Sequence, residues 1–362
     1  MRYHLIINPQ AGRNQRYSPL VMIKKKFHNR KIPLTISETT KKEDAIKIAR
    51  SSRADVIIAA GGDGTINEVI NGIVAKKAKN KPVLAILPLG TANLFAKSLG
   101  IPISLNSAID LLFEGQKKKI DVGKVNGRVF VLAAGIGMDA HMYDNVQPIL
   151  KKAFGEVAYP ISAINTIFKY NPQRITVKTK DVELHGYYVI ICNVGSYGNA
   201  LSIAPDAKED DGLLDVIVFE KKEIKEFLRY AFGVIGKYHG LFSDVRRLQT
   251  RKVTVTSEEP VLVHADAEIV GTTPVEIEVL ADTIEVICGS KRQLFQKEKI
   301  DEIKHGMESF VKHRIENMRI PKNNTKIFKK LKDTEKKIKK SVAKAKKNLK
   351  NNMKVRRWKK SN

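Results

Sequence analysis

The chain has 362 residues, 43% of them hydrophobic, and a formal net charge of +27. That length allows two domains with a sizeable core, and no run approaches the roughly 18 apolar residues of a membrane-crossing helix. Two cysteines, Cys192 and Cys288, are too few for a disulfide scaffold or a cysteine-based zinc site. A reducing cytoplasm is the simplest expectation, and the opening residues, MRYHLIINP, carry no signal-peptide pattern. The charge is uneven: residues 291–362 hold 26 Lys and Arg against 7 Asp and Glu, which leaves +8 for residues 1–290. A basic tail of this kind suits a polyanion, either an anionic membrane surface or nucleic acid.

In chain order, residues 3–7 (YHLII), 33–37 (PLTIS), 56–60 (VIIAA) and 83–87 (VLAIL) read as short strands. Helical patterns lie between them, at 41–50 and 66–78. This alternation predicts a mainly parallel sheet covered by helices. The strands end in polar or glycine-rich turns, NPQAGRN, SETT, GGDGT and PLGTAN, and ligands of open α/β sheets bind beyond the carboxyl ends of the strands. After residue 121 the texture changes. Segments 128–134, 174–179, 182–194, 213–219, 251–256, 260–265, 274–279 and 283–288 read as strands, with helical stretches near 147–170 and 222–239. They predict a second, mainly β domain of sandwich type. The expected division is therefore an α/β domain over 1–122, a β-sandwich over 123–289, and a Lys-rich tail over 311–362, partly helical or disordered. In the tail, Phe328, Leu331, Ile338, Val342, Ala345 and Leu349 recur at roughly helical spacing. That pattern fits a basic helix lying on anionic lipid or a solvated tail. RNA is the weaker reading, because Trp358 is the sole stacking ring in 331–362.

Gly61-Gly62-Asp63-Gly64-Thr65 follows a strand and opens a helix. Such a turn points several N–H groups at one spot, with the helix dipole behind them, and so can cradle phosphate. It can equally be a tight turn in which Asp63 caps the helix. Three further pieces accompany it: Asn8-Pro9-Gln10-Ala11-Gly12-Arg13, Leu87-Pro88-Leu89-Gly90-Thr91-Ala92-Asn93, and Asp121-Val122-Gly123. In order and spacing, the four resemble the catalytic domain of the diacylglycerol kinase and sphingosine kinase family, in its bacterial lipid kinase form. The resemblance extends over roughly residues 1–290. It includes Ala133-Ala134-Gly135-Ile136-Gly137-Met138-Asp139-Ala140, the stretch Asp210-Asp211-Gly212-Leu213-Leu214-Asp215, and Asp266-Ala267-Glu268 where the family carries Asp-Gly-Glu.

The resemblance implies a three-layer α/β nucleotide-binding domain akin to NAD kinases and phosphofructokinases, then a β-sandwich, with the chain returning to the first domain near 290–305. It implies ATP and Mg²⁺ as cofactors and a lipid alcohol, diacylglycerol or a relative, as acceptor. Asn8, Pro9, Gly12, Thr39, Gly90, Thr91 and Asn93 would line the nucleotide, with Gly61, Gly62, Asp63, Gly64, Thr65, Asn67 and Glu68 around the phosphates. Arg13 would offset phosphate charge or stand as an exposed loop arginine. Asp63 and Asp121 would serve the metal. A second Mg²⁺ would draw on Asp211 and the carbonyl of Leu213, although Lys208 stands near where another ligand is needed. Glu268 is the implied general base, with Asp266 as its structural or metal-linked partner. Both carboxylates are expected on one face of an extended strand, or on an exposed acidic turn.

The chain departs from the family pattern at Leu94, where many bacterial members carry Asp, and at Ala267, which is expected to exclude conformations reserved for glycine. The expected location is cytoplasmic, on the inner face of the membrane through the basic tail, with homodimerisation open. Kinases of a soluble alcohol such as NAD, and a decayed kinase that only binds lipid or nucleotide, are the alternatives.

Overall fold

The computed structural model describes residues 1–11, 18–77, 81–137, 171–195, 203–235 and 239–289. All belong to one compact unit spanning Met1–Leu294. The expectations for Gly12, Arg13, residues 138–140, the helical stretch near 147–170, the return at 290–305 and the Lys-rich tail fall outside the described residues.

The first half alternates as expected: β1 (Tyr3–Ile7), α1 (Pro19–Asn29), β2 (Leu34–Glu38), α2 (Asp44–Ser51), β3 (Val56–Gly61), α3 (Asp63–Val74), β4 (Val83–Pro88), α4 (Leu94–Ser98) and α5 (Leu105–Glu114). The strands lie in the order β2-β1-β3-β4, all parallel. All six residues of β3 and of β4 are buried. Continuous apolar runs of this kind mark strands covered on both faces, because parallel sheets carry their crossover helices outside. Tyr3 of β1, Phe27 of α1 and Phe113 of α5 pack as an aromatic trio, with centroids 5.1 to 6.2 Å apart.

The second half is β-rich: β5 (Gln116–Val125), β6 (Arg128–Phe130), β7 (Ala133–Ile136), β8 (Ile175–Lys178), β9 (Glu183–Gly186), β10 (Tyr188–Cys192), β11 (Leu214–Phe219), α6 (Ile224–Ile235), β12 (Val245–Thr250), β13 (Lys252–Ser257), β14 (Leu262–Ala265), β15 (Glu268–Thr272) and β16 (Val275–Cys288). Six strands form a sheet in the order β12-β11-β10-β7-β14-β15. It faces β13, β8 and the first part of β16 across a core that includes Val125, Phe130, Ile136, Ile191, Val216, Val255 and Ile277. The α/β domain followed by a β-sandwich is thus the observed architecture.

Two strands join the halves. β16 pairs with β13 at its start and with β4 near its end, at Val286↔Leu84, while β5 runs antiparallel along its length. A register shift between Leu280 and Ile284 lets this 14-residue strand bend from one half into the other. The two expected strands at 274–279 and 283–288 are therefore one. The chain re-enters the first sheet through Val286, which pairs with Leu84. The expected strand at 128–134 is conversely two, because the chain leaves the large sheet after β6 and enters the six-stranded sheet at β7.

Gly123, of the Asp-Val-Gly motif, explains its own residue type. A Cβ there would lie 2.0 Å from the ring of Phe130, which is fully buried. Gly123→Ala should overpack this junction and lower the free energy of unfolding by about 1–3 kcal/mol, readable as a lower urea midpoint.

Candidate active site

The carboxyl ends of β1, β2, β3 and β4 bring their turns to one edge of the sheet. The first turn of α3 starts at Gly62 and has no side-chain cap, so its leading N–H groups are donors of the kind that hold phosphate. Gly62 and Gly90 lie backbone against backbone: a Cβ on Gly90 would come within 2.5 Å of the Gly62 Cα. Gly61 makes room for Thr65, whose side chain a Cβ at 61 would meet at 2.5 Å. Asn8 donates from Nδ2 to Thr65 Oγ1 at 3.4 Å and accepts from the Gln10 N–H at 2.9 Å. Thr39 is buried, and its N–H donates to the Ile7 carbonyl. Pro9 and Thr91 are exposed at the ends of their turns.

Asp63 ties two turns together. Its Oδ2 accepts the Leu94 N–H and its Oδ1 the Phe95 N–H, both at 3.1 Å. It caps α4 rather than its own helix α3, and the contact runs through the backbone of the unexpected Leu94. Each oxygen accepts one N–H from this helix end, which leaves a lone pair on each for a water-held cation. Asn93 has a different task. It is buried with φ +48°, accepts the Gly90 N–H at 2.9 Å and donates to the Gly90 carbonyl at 2.6 Å. It shapes the loop through both ends of its amide.

Two further expected phosphate residues are bonded to the protein itself. Glu68 accepts the Glu43 N–H at 2.9 Å and the Ala45 N–H at 3.3 Å, which fixes the start of α2. Asn67 donates to the Val129 carbonyl at 3.1 Å and to Asp266 Oδ2 at 2.8 Å.

The Asp266-Ala267-Glu268 stretch forms a turn, the second of its two sequence readings, and overturns the strand-face reading. Asp266 and Ala267 have φ of +47° and +67° and form the two-residue turn between β14 and β15, with Ala265 paired to Glu268. Positive φ at both central residues is the signature of a type I′ hairpin. The two acids are therefore separated by a turn, not aligned along one face of an extended strand, and Ala267 adopts a conformation that glycine takes at less cost. The Asp266 carboxylate accepts four donors: the N–H groups of Val131 and Leu132, each at 2.8 Å, that of Ala133 at 3.1 Å, and the Asn67 amide. Burial pushes its pKa up, and these donors push it back towards the ionised form without cancelling the rise. Glu268 begins β15 with its side chain 24% exposed. It pairs with Arg128 through Oε2, and with Lys42 at 3.4 Å through Oε1.

Asp121 is buried at the junction of the two halves. Its Oδ2 accepts the Gly212 N–H at 2.7 Å and its Oδ1 the Asp282 N–H at 2.8 Å. It binds the Asp211-Gly212-Leu213 loop to the bend of β16. Asp211 accepts the Leu213 N–H at 3.1 Å. Burial raises its pKa, and the nearby charges of Asp215 and Asp121 add to the rise. Lys208 and Asp211 line the same cavity of about 910 Å³, with Arg247 on its wall. Among the described residues no three His, Cys, Asp or Glu side chains gather to hold a metal ion; Asp63 and Asp121, expected at one metal, each accept backbone N–H groups, and Asp211 and Leu213, expected at a second, are joined within one loop. Arg128 and Lys42 are the site residues that sequence reasoning missed. Neither sits in a motif, and the Arg128–Glu268 contact spans 140 positions.

Glycine turns at the strand ends of an α/β half, with a carboxylate offered by a joined sandwich, are features that a phosphotransferase acting on an alcohol can use. The comparisons agree. A model described as the diacylglycerol kinase catalytic domain matches residues 2–125, and one described as the YegS C-terminal NAD kinase beta sandwich-like domain matches residues 132–288. The diacylglycerol kinase of Bacillus subtilis is 30% identical over 297 residues, covering 80% of this chain and 97% of the relative. That of Staphylococcus saprophyticus is 32% identical over 293 residues, covering 79% and 94%. A crystal structure of a diacylglycerol kinase from Bacillus anthracis superposes with a TM-score of 0.65 at 30% identity, covering 80% of this chain and 97% of that one. The chain belongs to the diacylglycerol kinase family.

The left-handed Ala267 yields a direct test of the hairpin geometry. A left-handed L-residue costs about 1–2 kcal/mol. Ala267→Gly should therefore raise the stability of the folded chain by about 1 kcal/mol, seen as a higher thermal midpoint.

Proposed function

We propose that the chain transfers the γ-phosphate of ATP to a hydroxyl of diacylglycerol or a closely related lipid. The observation that carries this reading is the hairpin turn that presents Glu268 at the junction while Asp266 is bonded to α3, the helix that opens at the glycine turn. Phosphoryl transfer asks mainly for positioning and charge neutralisation. The N–H groups at residues 61–65 would hold the phosphates, with Asn8 and Thr39 beside the nucleotide. A bound Mg²⁺ would neutralise phosphate charge, held through water by Asp63, since this ion keeps several waters and few carboxylates. The lipid oxygen attacks the γ-phosphorus, the bond from that phosphorus to the bridging oxygen breaks, and ADP leaves with the electron pair. Glu268 accepts the hydroxyl proton as this happens.

Among the described residues no helix is long and apolar enough to cross a membrane. We assign membrane contact to the Lys-rich tail, at the cytoplasmic face. Lysines close to anionic lipid contribute about 1 kcal/mol each, and salt screens the attraction. The description of the sandwich domain mentions NAD kinase, so NAD belongs among the acceptors to be assayed.

The test is transfer of labelled γ-phosphate from Mg-ATP into mixed micelles of diacylglycerol, monoacylglycerol, ceramide, sphingosine and undecaprenol, with NAD in solution. Label should enter diacylglycerol or a close relative. Glu268→Gln should slow transfer by about 10²–10⁴-fold. Label in NAD alone would move the assignment to a soluble acceptor, and ATP binding without any transfer would indicate a decayed kinase.

A further inference from the structure

Glu268 begins a strand and its carboxylate is partly open to solvent, yet it is held from the side by two cations. Lys42 is 67% exposed and 3.4 Å away. Arg128 is only 19% exposed and makes the closer contact. Its other terminal nitrogen faces Glu43 at 3.8 Å.

Both of these partners depend on α3. Val129, next to Arg128, donates its N–H to Asn71 Oδ1 at 3.0 Å, and its carbonyl accepts from Asn71 and from Asn67, each at 3.1 Å. The Glu43 N–H is held by Glu68, also on α3, at 2.9 Å. The helix that opens at the phosphate turn therefore fixes the backbone on both sides of the Arg128 guanidinium. A planar guanidinium can face two carboxylates at once in a set geometry, which an ammonium on a flexible stem does not reproduce.

We propose that Arg128 is a positioning residue for the reaction: it transmits the placement of α3, and so of the phosphates, to the carboxylate of Glu268. This rests on the reading of Glu268 as the proton acceptor. Misplacing a catalytic group by about 1 Å can cost on the order of a hundredfold in rate. A residue acting only through Glu268 should have no effect once that carboxylate is gone.

The experiment is steady-state phosphoryl transfer by the full chain with Arg128→Gln, Arg128→Lys, Glu268→Gln and the double variant Arg128→Gln/Glu268→Gln. Arg128→Gln should lower kcat by about ten- to a hundredfold, with KM for ATP held within about twofold. Added guanidinium should restore part of that rate, and Arg128→Lys should fall between Arg128→Gln and the parent chain. In the Glu268→Gln background, Arg128→Gln should cost nothing further. A raised KM for ATP at unchanged kcat would overturn the proposal, because Arg128 would then serve the nucleotide directly. Additive losses in the double variant would overturn it as well. Should Arg128→Gln fail to fold, Arg128→Lys carries the same test through its split between kcat and KM. Full activity in Glu268→Gln would instead defeat the reading of Glu268 as base. An inactive Glu268→Gln beside a fully active Arg128→Gln would defeat the present inference alone.

Discussion

The Asp266 carboxylate is the point on which the arrangement of the two halves depends. Between β6 and β7 the chain leaves one sheet and enters the other, so the N–H groups of Val131, Leu132 and Ala133 are not all taken by strand pairing at the break. An unpaired buried donor costs about 1–3 kcal/mol. Asp266 accepts all three and adds the Asn67 amide from α3. One side chain thus stabilises the crossover, holds it to the helix of the glycine turn, and locates the hairpin that presents Glu268.

Asp121 performs a parallel task on the other side of the junction. It joins β5 to the Gly212 loop and to the bend in β16 through two N–H groups, and Asn193 donates to its carbonyl at 3.0 Å and to that of Val131 at 3.1 Å. Asp63 repeats the device between two turns of the α/β half. Three acids with the appearance of metal ligands are each bonded to backbone at a place where the chain changes direction. A carboxylate suits this work because it accepts several hydrogen bonds at once, and charged acceptors make stronger bonds than neutral ones.

The parallel strands were legible because burial on both faces leaves continuous apolar runs, as in VIIAA and VLAIL. The order of the glycine turns was legible because turns packed backbone against backbone, as at Gly62 and Gly90, constrain residue type. β5 was missed: its opening QKKK is exposed at three of four positions and hides a strand that becomes apolar only at Ile120. β12, VRRLQT, was missed as an edge strand whose exposed positions carry arginines and polar residues. The stretch at 266–267 stood between an extended strand and a turn because it lacks the glycine that usually marks positive φ. Arg128 could not be read at all, since its meaning comes from a partner 140 positions away. Spacing located the acids of the site; only tertiary contacts separate Asp63, Asp121 and Asp266, which accept backbone N–H groups, from Glu268, which pairs with Arg128 and Lys42.

Amide hydrogen exchange at Val131, Leu132 and Ala133 in Asp266→Asn, compared with the parent chain, tests the central claim most directly. An amide side chain has one acceptor oxygen and would turn its NH₂ towards at least one of the same donors. The account predicts that protection at these three amides falls well below that of the β10 and β11 amides in the same variant. Unchanged protection at residues 131–133 would contradict it, because the crossover would then be held by something other than Asp266.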